Sequence, residues 1–128
     1  MVSKNNKLEF KKLIIDIKVQ DLERAIDFYK NILNLLMVRK ESEWASFEAG
    51  DAEIHLFLYD GTNQGIEFRV SDIQQSIKFF KAKGIKFFVK PNQKNLLRTI
   101  DDIMEFPWGK IAYFYDSEGN ELSIVEDL

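Results

Sequence analysis

Residues 15–30, IDIKVQDLERAIDFYK, and residues 66–81, IEFRVSDIQQSIKFFK, are two copies of one pattern. Laid over each other at a shift of 51 and without gaps, six of the sixteen pairs are identical: Ile15/Ile66, Val19/Val70, Asp21/Asp72, Ile26/Ile77, Phe28/Phe79 and Lys30/Lys81. Asp16/Glu67, Lys18/Arg69 and Tyr29/Phe80 are conservative pairs. A repeat of this kind means that one supersecondary unit has been used twice.

Each copy reads the same way. Leu13, Ile15, Ile17 and Val19 alternate with Ile14, Asp16, Lys18 and Gln20, which predicts a half-buried strand. Asp21 then stands where an N-cap belongs, because its carboxylate can accept from the free amides of a first helical turn. Leu22, Ala25, Ile26, Tyr29, Ile32 and Leu33 follow at helical spacing and form one apolar stripe. The second copy uses Ile66, Phe68 and Val70, the cap Asp72, and then Ile73, Ile77 and Phe80, with Gly84 as the helix-ending residue.

Working outward, three extended segments follow each helix. In the first half they are about Leu35–Lys40, Trp44–Ala49 and Ala52–Tyr59; in the second, about Ile85–Lys90, Lys110–Tyr115 and Asn120–Glu126. Gly50-Asp51 and Glu118-Gly119-Asn120 supply hairpin turns. Residues 91–109 are the irregular part, with a helical turn expected around Leu96–Met104 before Phe106-Pro107-Trp108-Gly109. The architecture is thus α+β, βαβββ twice. Residues 1–128 are read as a single domain, with module one about 8–60 and module two about 64–127.

Composition narrows the chemistry. Of 128 residues, 45% are hydrophobic and 30% charged, enough to build a core without staples. There is no cysteine, which excludes disulfides, thiolate zinc sites and a cysteine nucleophile. His55 is the only histidine, so a histidine-rich metal centre is excluded too. A net charge of -3 with no basic cluster argues against nucleic acid as a partner. Residues 1–12 lack the continuous apolar run of a signal peptide or membrane span, so a cytoplasmic location without membrane attachment is expected. Eleven Phe, four Tyr and two Trp are more than bulk packing requires.

Three stretches carry a resemblance to a known family. Val19-Gln20-Asp21-Leu22 through Phe28-Tyr29-Lys30-Asn31-Ile32-Leu33 is similar to the opening of the vicinal oxygen chelate superfamily, which holds glyoxalase I, bleomycin-resistance proteins, fosfomycin-resistance enzymes and extradiol dioxygenases. Trp108-Gly109-Lys110 is similar to its lead into the penultimate strand. Asp116-Ser117-Glu118-Gly119-Asn120 resembles its final hairpin, with serine in place of proline. The resemblance implies two modules whose curved mixed sheet surrounds a groove, often in a homodimer. It further implies four metal-ligand positions, here Ile14, His55, Gly65 and Ser123. Ile14 has no donor atom, Gly65 no side chain, and Ser123 is a poor ligand. A catalytic metal needs about three protein ligands, so neither a bound metal nor any other cofactor is expected.

Strand alternation extends this face. It carries Asp16 and Lys18, their counterparts Glu67 and Arg69, then Glu53, His55, Phe57 and Tyr59, and finally Glu121, Ser123 and Val125. The opposite parity is apolar and should meet the helices. Asp16, Lys18, Glu67 and Arg69 form either a mutually neutralising ion-pair network or, across the pseudo-twofold, a carboxylate pair with one raised pKa. His55 reads as a hydrogen-bonded lining residue, and Arg69 and Lys18 as groups able to bind an anionic substituent. Trp44, Phe57, Tyr59, Trp108, Tyr113 and Tyr115 are candidates for an aromatic wall, whereas Phe79, Phe80, Phe87, Phe88 and Phe114 read as core.

The function expected first is metal-independent binding of a planar or cationic small molecule, as the resemblance to bleomycin-resistance proteins implies. The alternative is a glyoxalase I-like lyase acting on a glutathione hemithioacetal through an atypical metal site. A partner-binding module that has lost its small-molecule ligand is a third class.

Overall fold

The computed structural model describes residues 8–128, so most of the N-terminal stretch weighed above lies outside the described residues. The chain divides into two compact units, the first ending at Thr62 and the second running from Asn63 to Leu128.

The first unit is a four-stranded sheet with one helix. Strands β1 (Leu13–Lys18), β2 (Leu36–Lys40), β3 (Trp44–Ala49) and β4 (Ala52–Phe57) lie in the order β1-β4-β3-β2. β1 runs parallel to β4, as a strand–helix–strand crossover requires, and the β3–β4 hairpin turns at Gly50-Asp51. Helix α1 (Leu22–Asp27) starts where expected, with the Asp21 carboxylate accepting from the Arg24 amide at 3.1 Å. It does not continue as an α-helix. Phe28–Ile32 widen into a π turn in which the Leu33 amide donates to the Phe28 carbonyl. The widening lets the consecutive residues Phe28 and Tyr29 both reach the core. Ile17, Phe47, Ile54 and Leu56 complete that core with almost no exposure.

The loop after β4 adds a feature with no local sequence signal. Gly61 crosses β1 so closely that a Cβ there would lie 2.6 Å from the Lys18 nitrogen and 2.8 Å from the Asp16 carbonyl oxygen. Behind it, the Thr62 amide donates to the Asp16 carbonyl at 2.7 Å, and the Lys18 amide donates to the Thr62 carbonyl at 3.2 Å. The open edge of β1 is thereby covered.

The second unit repeats the plan with an insertion. β5 (Ile66–Arg69) pairs in parallel with β10 (Glu121–Asp127), and the path continues through β9 (Gly109–Tyr115), β8 (Ile103–Phe106) and β7 (Arg98–Ile100). The short β6 (Phe87–Phe88) pairs with the other end of β9. Helix α2 (Ile73–Ala82) is capped by Asp72 accepting from the Gln75 amide at 3.1 Å. Gly84, with φ +93°, follows the helix as expected.

The helical turn expected at Leu96–Met104 is not there. Residues 98–106 instead form the β7–β8 hairpin, whose two turn residues Asp101 and Asp102 both have positive φ, 52° and 69°. Such a turn favours Asn-Gly or Asp-Gly, so Asp-Asp hid the hairpin. Met104 and Ile111 face each other across β8–β9, and this strand pairing outweighs a local periodicity compatible with a helix.

The final turn explains the Asp116–Asn120 motif in structural terms. The buried Asp116 carboxylate accepts from the amides of Glu118 and Asn120 at 2.8 and 2.9 Å, and from the Asn120 side-chain amide at 2.8 Å. It holds the β9–β10 hairpin closed. No helix among the described residues is long and apolar enough to cross a membrane.

Candidate functional site

In each unit the helix covers the apolar face of its sheet, and the candidate residues fall on the other. In the first unit one row across β1, β4 and β3 reads Asp16, His55, Ser46, and the next reads Lys18, Phe57, Trp44. His55 is the centre of this half-site. Its Nδ1 lies 3.9 Å from the Asp16 carboxylate and its Nε2 3.7 Å from that of Glu53, pairs that are ionic only when the imidazole is protonated. Its ring stacks on the indole of Trp44 with centroids 5.3 Å apart and planes 16° from parallel. The Arg39 guanidinium lies over the same indole at 5.4 Å, and Phe57 meets Tyr59 edge-on at 5.6 Å. Trp44 is therefore half-buried in a stack of this module's own making.

In the second unit Glu67, Ser123 and Tyr113 are neighbours in register across β5, β10 and β9, and Glu121 faces Tyr115. Glu67, Lys90, Tyr113, Glu121 and Ser123 line a cavity of about 290 Å³, together with Gly65. Lys90 ion-pairs with Glu121 and lies 4.3 Å from the centroid of the Tyr113 ring. Burial pushes the Tyr113 phenol above its ordinary value of 10.0; the nearby Glu121 and Glu67 carboxylates add to this rise and Lys90 opposes it. The phenol is therefore a hydrogen-bond donor at neutral pH. Ser123 is buried, its hydroxyl directed at the Ile66 carbonyl at 3.5 Å.

Beside the cavity the rings form a ladder. Phe88 lies 5.9 Å from Tyr113 and 4.6 Å from Tyr115, with interplanar angles of 28° and 15°. Tyr115 is 55% exposed. Phe88 thus belongs to this aromatic face and not to the core read from its sequence, because consecutive residues of an edge strand point to opposite sides; Phe87 takes the core. Phe79, also read as core, lies exposed on α2.

In the second unit Arg69 pairs with Asp127 at 2.8 Å, and in the first Asp16 lies beside His55. Two further expectations change. Val125 has the expected parity but is buried with Met104, Phe106 and Ile111, against which Leu96 packs. The segment before β7 thus closes this end of the face. Trp108 is half-exposed and stacks on Phe106 at 5.1 Å, at the opposite end of β9 from Tyr115. Six strand steps, roughly 20 Å, separate Gly109 from Tyr115.

Sequence reasoning placed Glu53 on this face but did not single out Lys90 or Arg39. Their signals were weak, since a lysine at a strand end and an arginine on an edge strand are ordinary surface residues.

The four positions that the resemblance implies for metal ligands do not suit a catalytic metal. Ile14 is hydrocarbon, Gly65 offers no donor, Ser123 spends its hydroxyl on a backbone carbonyl, and His55 supplies one imidazole. Among the described residues no group of three or more His, Cys, Asp or Glu side chains converges as a metal cage.

A strand–helix–three-strand unit used twice, with its helix-free face carrying these positions, defines the class. The chain belongs to the Glyoxalase/Bleomycin resistance protein/Dioxygenase superfamily, whose family model matches residues 13–124. It is 25% identical to the uncharacterized protein YraH of Bacillus subtilis (strain 168), over 92% of this chain and 99% of that protein. Its fold is similar to that of TnmS3, an antibiotic binding protein from Streptomyces sp. CB03234, with a TM-score of 0.71 and 17% identity over 94% of this chain and 98% of that one. It is also similar to a lactoylglutathione lyase from Agrobacterium tumefaciens, with a TM-score of 0.70 and 18% identity over 94% and 96% of the two chains.

Proposed function

We propose that this protein is a cytoplasmic, homodimeric binder of a small planar or cationic organic molecule and needs no metal to bind it. The observation that carries the reading is the ring ladder Tyr113–Phe88–Tyr115 beside the Glu67 and Glu121 carboxylates. Stacked rings with an exposed end offer a flat apolar surface to another flat ring. Glu121 is neutralised by Lys90, so Glu67 is the carboxylate able to attract a cationic substituent. Tyr113 donates a hydrogen bond to the ligand, with Ser123 at the floor. In the first module, Trp44, Phe57 and His55 supply apolar surface, and Asp16 and Lys18 set its charge.

An antibiotic binding protein among the structural neighbours supports this reading. The lyase reading draws on the lactoylglutathione lyase neighbour, but the donor set at Ile14, His55, Gly65 and Ser123 opposes it.

The test is a fluorescence titration of the full chain with aminoacridine, a planar cation near neutral pH, and with acridine, its uncharged analogue under mildly alkaline conditions. Saturable binding of the cation, tighter than that of the neutral ring, supports the proposal. Absence of saturation with both, and with a panel of planar amines, refutes it.

A further inference from the structure

A second, larger cavity lies on the other face of the second module's sheet, between α2 and the β7–β8 hairpin. It encloses about 550 Å³, within the range of small-molecule sites. Strand parity makes its lining unusual. On β9 the positions facing the helix are Lys110, Ala112 and Phe114, and the latter two are completely buried. Lys110 has the same parity, but it is only partly buried and lines the cavity beside α2. Across from it on β8 is Glu105, and across from Glu105 on β7 is Arg98. The inward face of the sheet therefore changes from hydrocarbon to charge at Lys110, and the hairpin carries that charged strip around the cavity.

Four cations line the space: Lys78 and Lys81 from α2, Arg98 from β7 and Lys110 from β9. Two have partners. Lys81 pairs with Asp102 at 3.4 Å, and Arg98 pairs with Glu105. Lys78 and Lys110 form no ion pair among the described residues, and Asp101, in the exposed turn, is the only other lining acid. Ile77, Ile100 and Ile103 provide an apolar floor, and Gln74 and Gln75 add amide groups. Lys110 lies in register between Glu105 on β8 and Glu126 on β10 without an ion pair to either among the described residues, so its ammonium and that of Lys78 both remain available to a ligand in the cavity.

We infer that this cavity is a binding site for a small organic anion, a carboxylate or phosphate monoester carried on a short apolar or aromatic body. Lys78 and Lys110 would hold the anionic group, and the isoleucine floor the body. The ligand is opposite in charge to the one proposed for the helix-free face, so the two sites select different molecules and neither depends on the other.

The test is a titration of the isotopically labelled full chain with phenyl phosphate and benzoate, followed by amide chemical shifts. Saturable shifts confined to residues 74–81, 98–105 and 110 are expected. Lys78→Ala should weaken binding about tenfold, and Lys78→Ala with Lys110→Ala further, while Tyr115→Ala leaves it unchanged. Lys78 is exposed on α2, so its alanine variant folds, and an unchanged spectrum away from the cavity checks this. Three outcomes would overturn the inference: shifts that grow linearly without saturation, shifts centred on Tyr113 and Tyr115, or an affinity unaltered in Lys78→Ala. Phenyl phosphate binding with no benzoate binding assigns the phosphate monoester; the reverse assigns the carboxylate.

Discussion

The rings of Phe88 and Tyr115 stack 4.6 Å apart although Phe88 is on the short edge strand β6 and Tyr115 is the last residue of β9. The pair places a flat apolar surface at one end of the sheet, next to the cavity of Glu67, Tyr113 and Glu121. If a planar ligand continues this stack, Tyr115→Ala should weaken its binding about tenfold, since an aromatic contact contributes about 0.5–1.5 kcal/mol beyond the area it buries. Fluorescence titration of wild type and variant with aminoacridine checks this. Stability should change little, because Tyr115 is more than half exposed.

Tyr113 titrates above the ordinary phenol value of 10.0 because of its burial, with Lys90 opposing the rise. Lys90→Gln should therefore raise the phenol pKa further, and Glu121→Gln should lower it, both read from ultraviolet absorbance of the phenolate. The unfolded chain loses this proton at lower pH than the folded one, so the Tyr113 contribution is fully present below pH 10.0 and is lost as pH rises through the folded value.

Asp116 organises the last hairpin through three accepted hydrogen bonds while buried. Asp116→Ala should cost about 2–4 kcal/mol, because three hydrogen bonds of about 1 kcal/mol each are lost inside a buried turn. Urea unfolding measures it. Asp116→Asn, which retains an acceptor, should cost less.

Gly61 lies against the backbone of β1 with φ +135°. Gly61→Ala should cost about 2–4 kcal/mol, combining a clash with backbone atoms and an unfavourable φ. The Thr62 and Lys18 amides should exchange faster with deuterium. Gly50→Ala is the control. Its φ is also positive, but a Cβ there meets nothing within 4 Å, so the cost should be about 1 kcal/mol.

The parts of this fold that were legible in the sequence are those set by neighbours in the chain. Asp21 and Asp72 cap the helices, and Ile17, Ile54, Leu122 and Ile124 bury on the expected parity, because capping and alternation are local rules. The β7–β8 hairpin was hidden by an Asp-Asp turn, and the π turn by a stripe that suits an α-helix equally well. The site divides in the same way. Glu67, Ser123 and Tyr113 come into one row because strand register follows from the repeat. The Lys90–Glu121 pair, the Phe88 ladder and the burial of Val125 under Leu96 depend on how distant segments dock, and no local pattern encodes that.

Binding without a metal is what separates the proposed binder from the lyase reading. Its most direct test is a calorimetric titration of aminoacridine into the full chain before and after exhaustive chelator treatment, with metal content measured on the same samples. Equal affinities, no stoichiometric metal in either sample and no change on adding nickel or zinc are expected. A stoichiometric metal whose removal abolishes binding, and which is lost in His55→Ala, would contradict it.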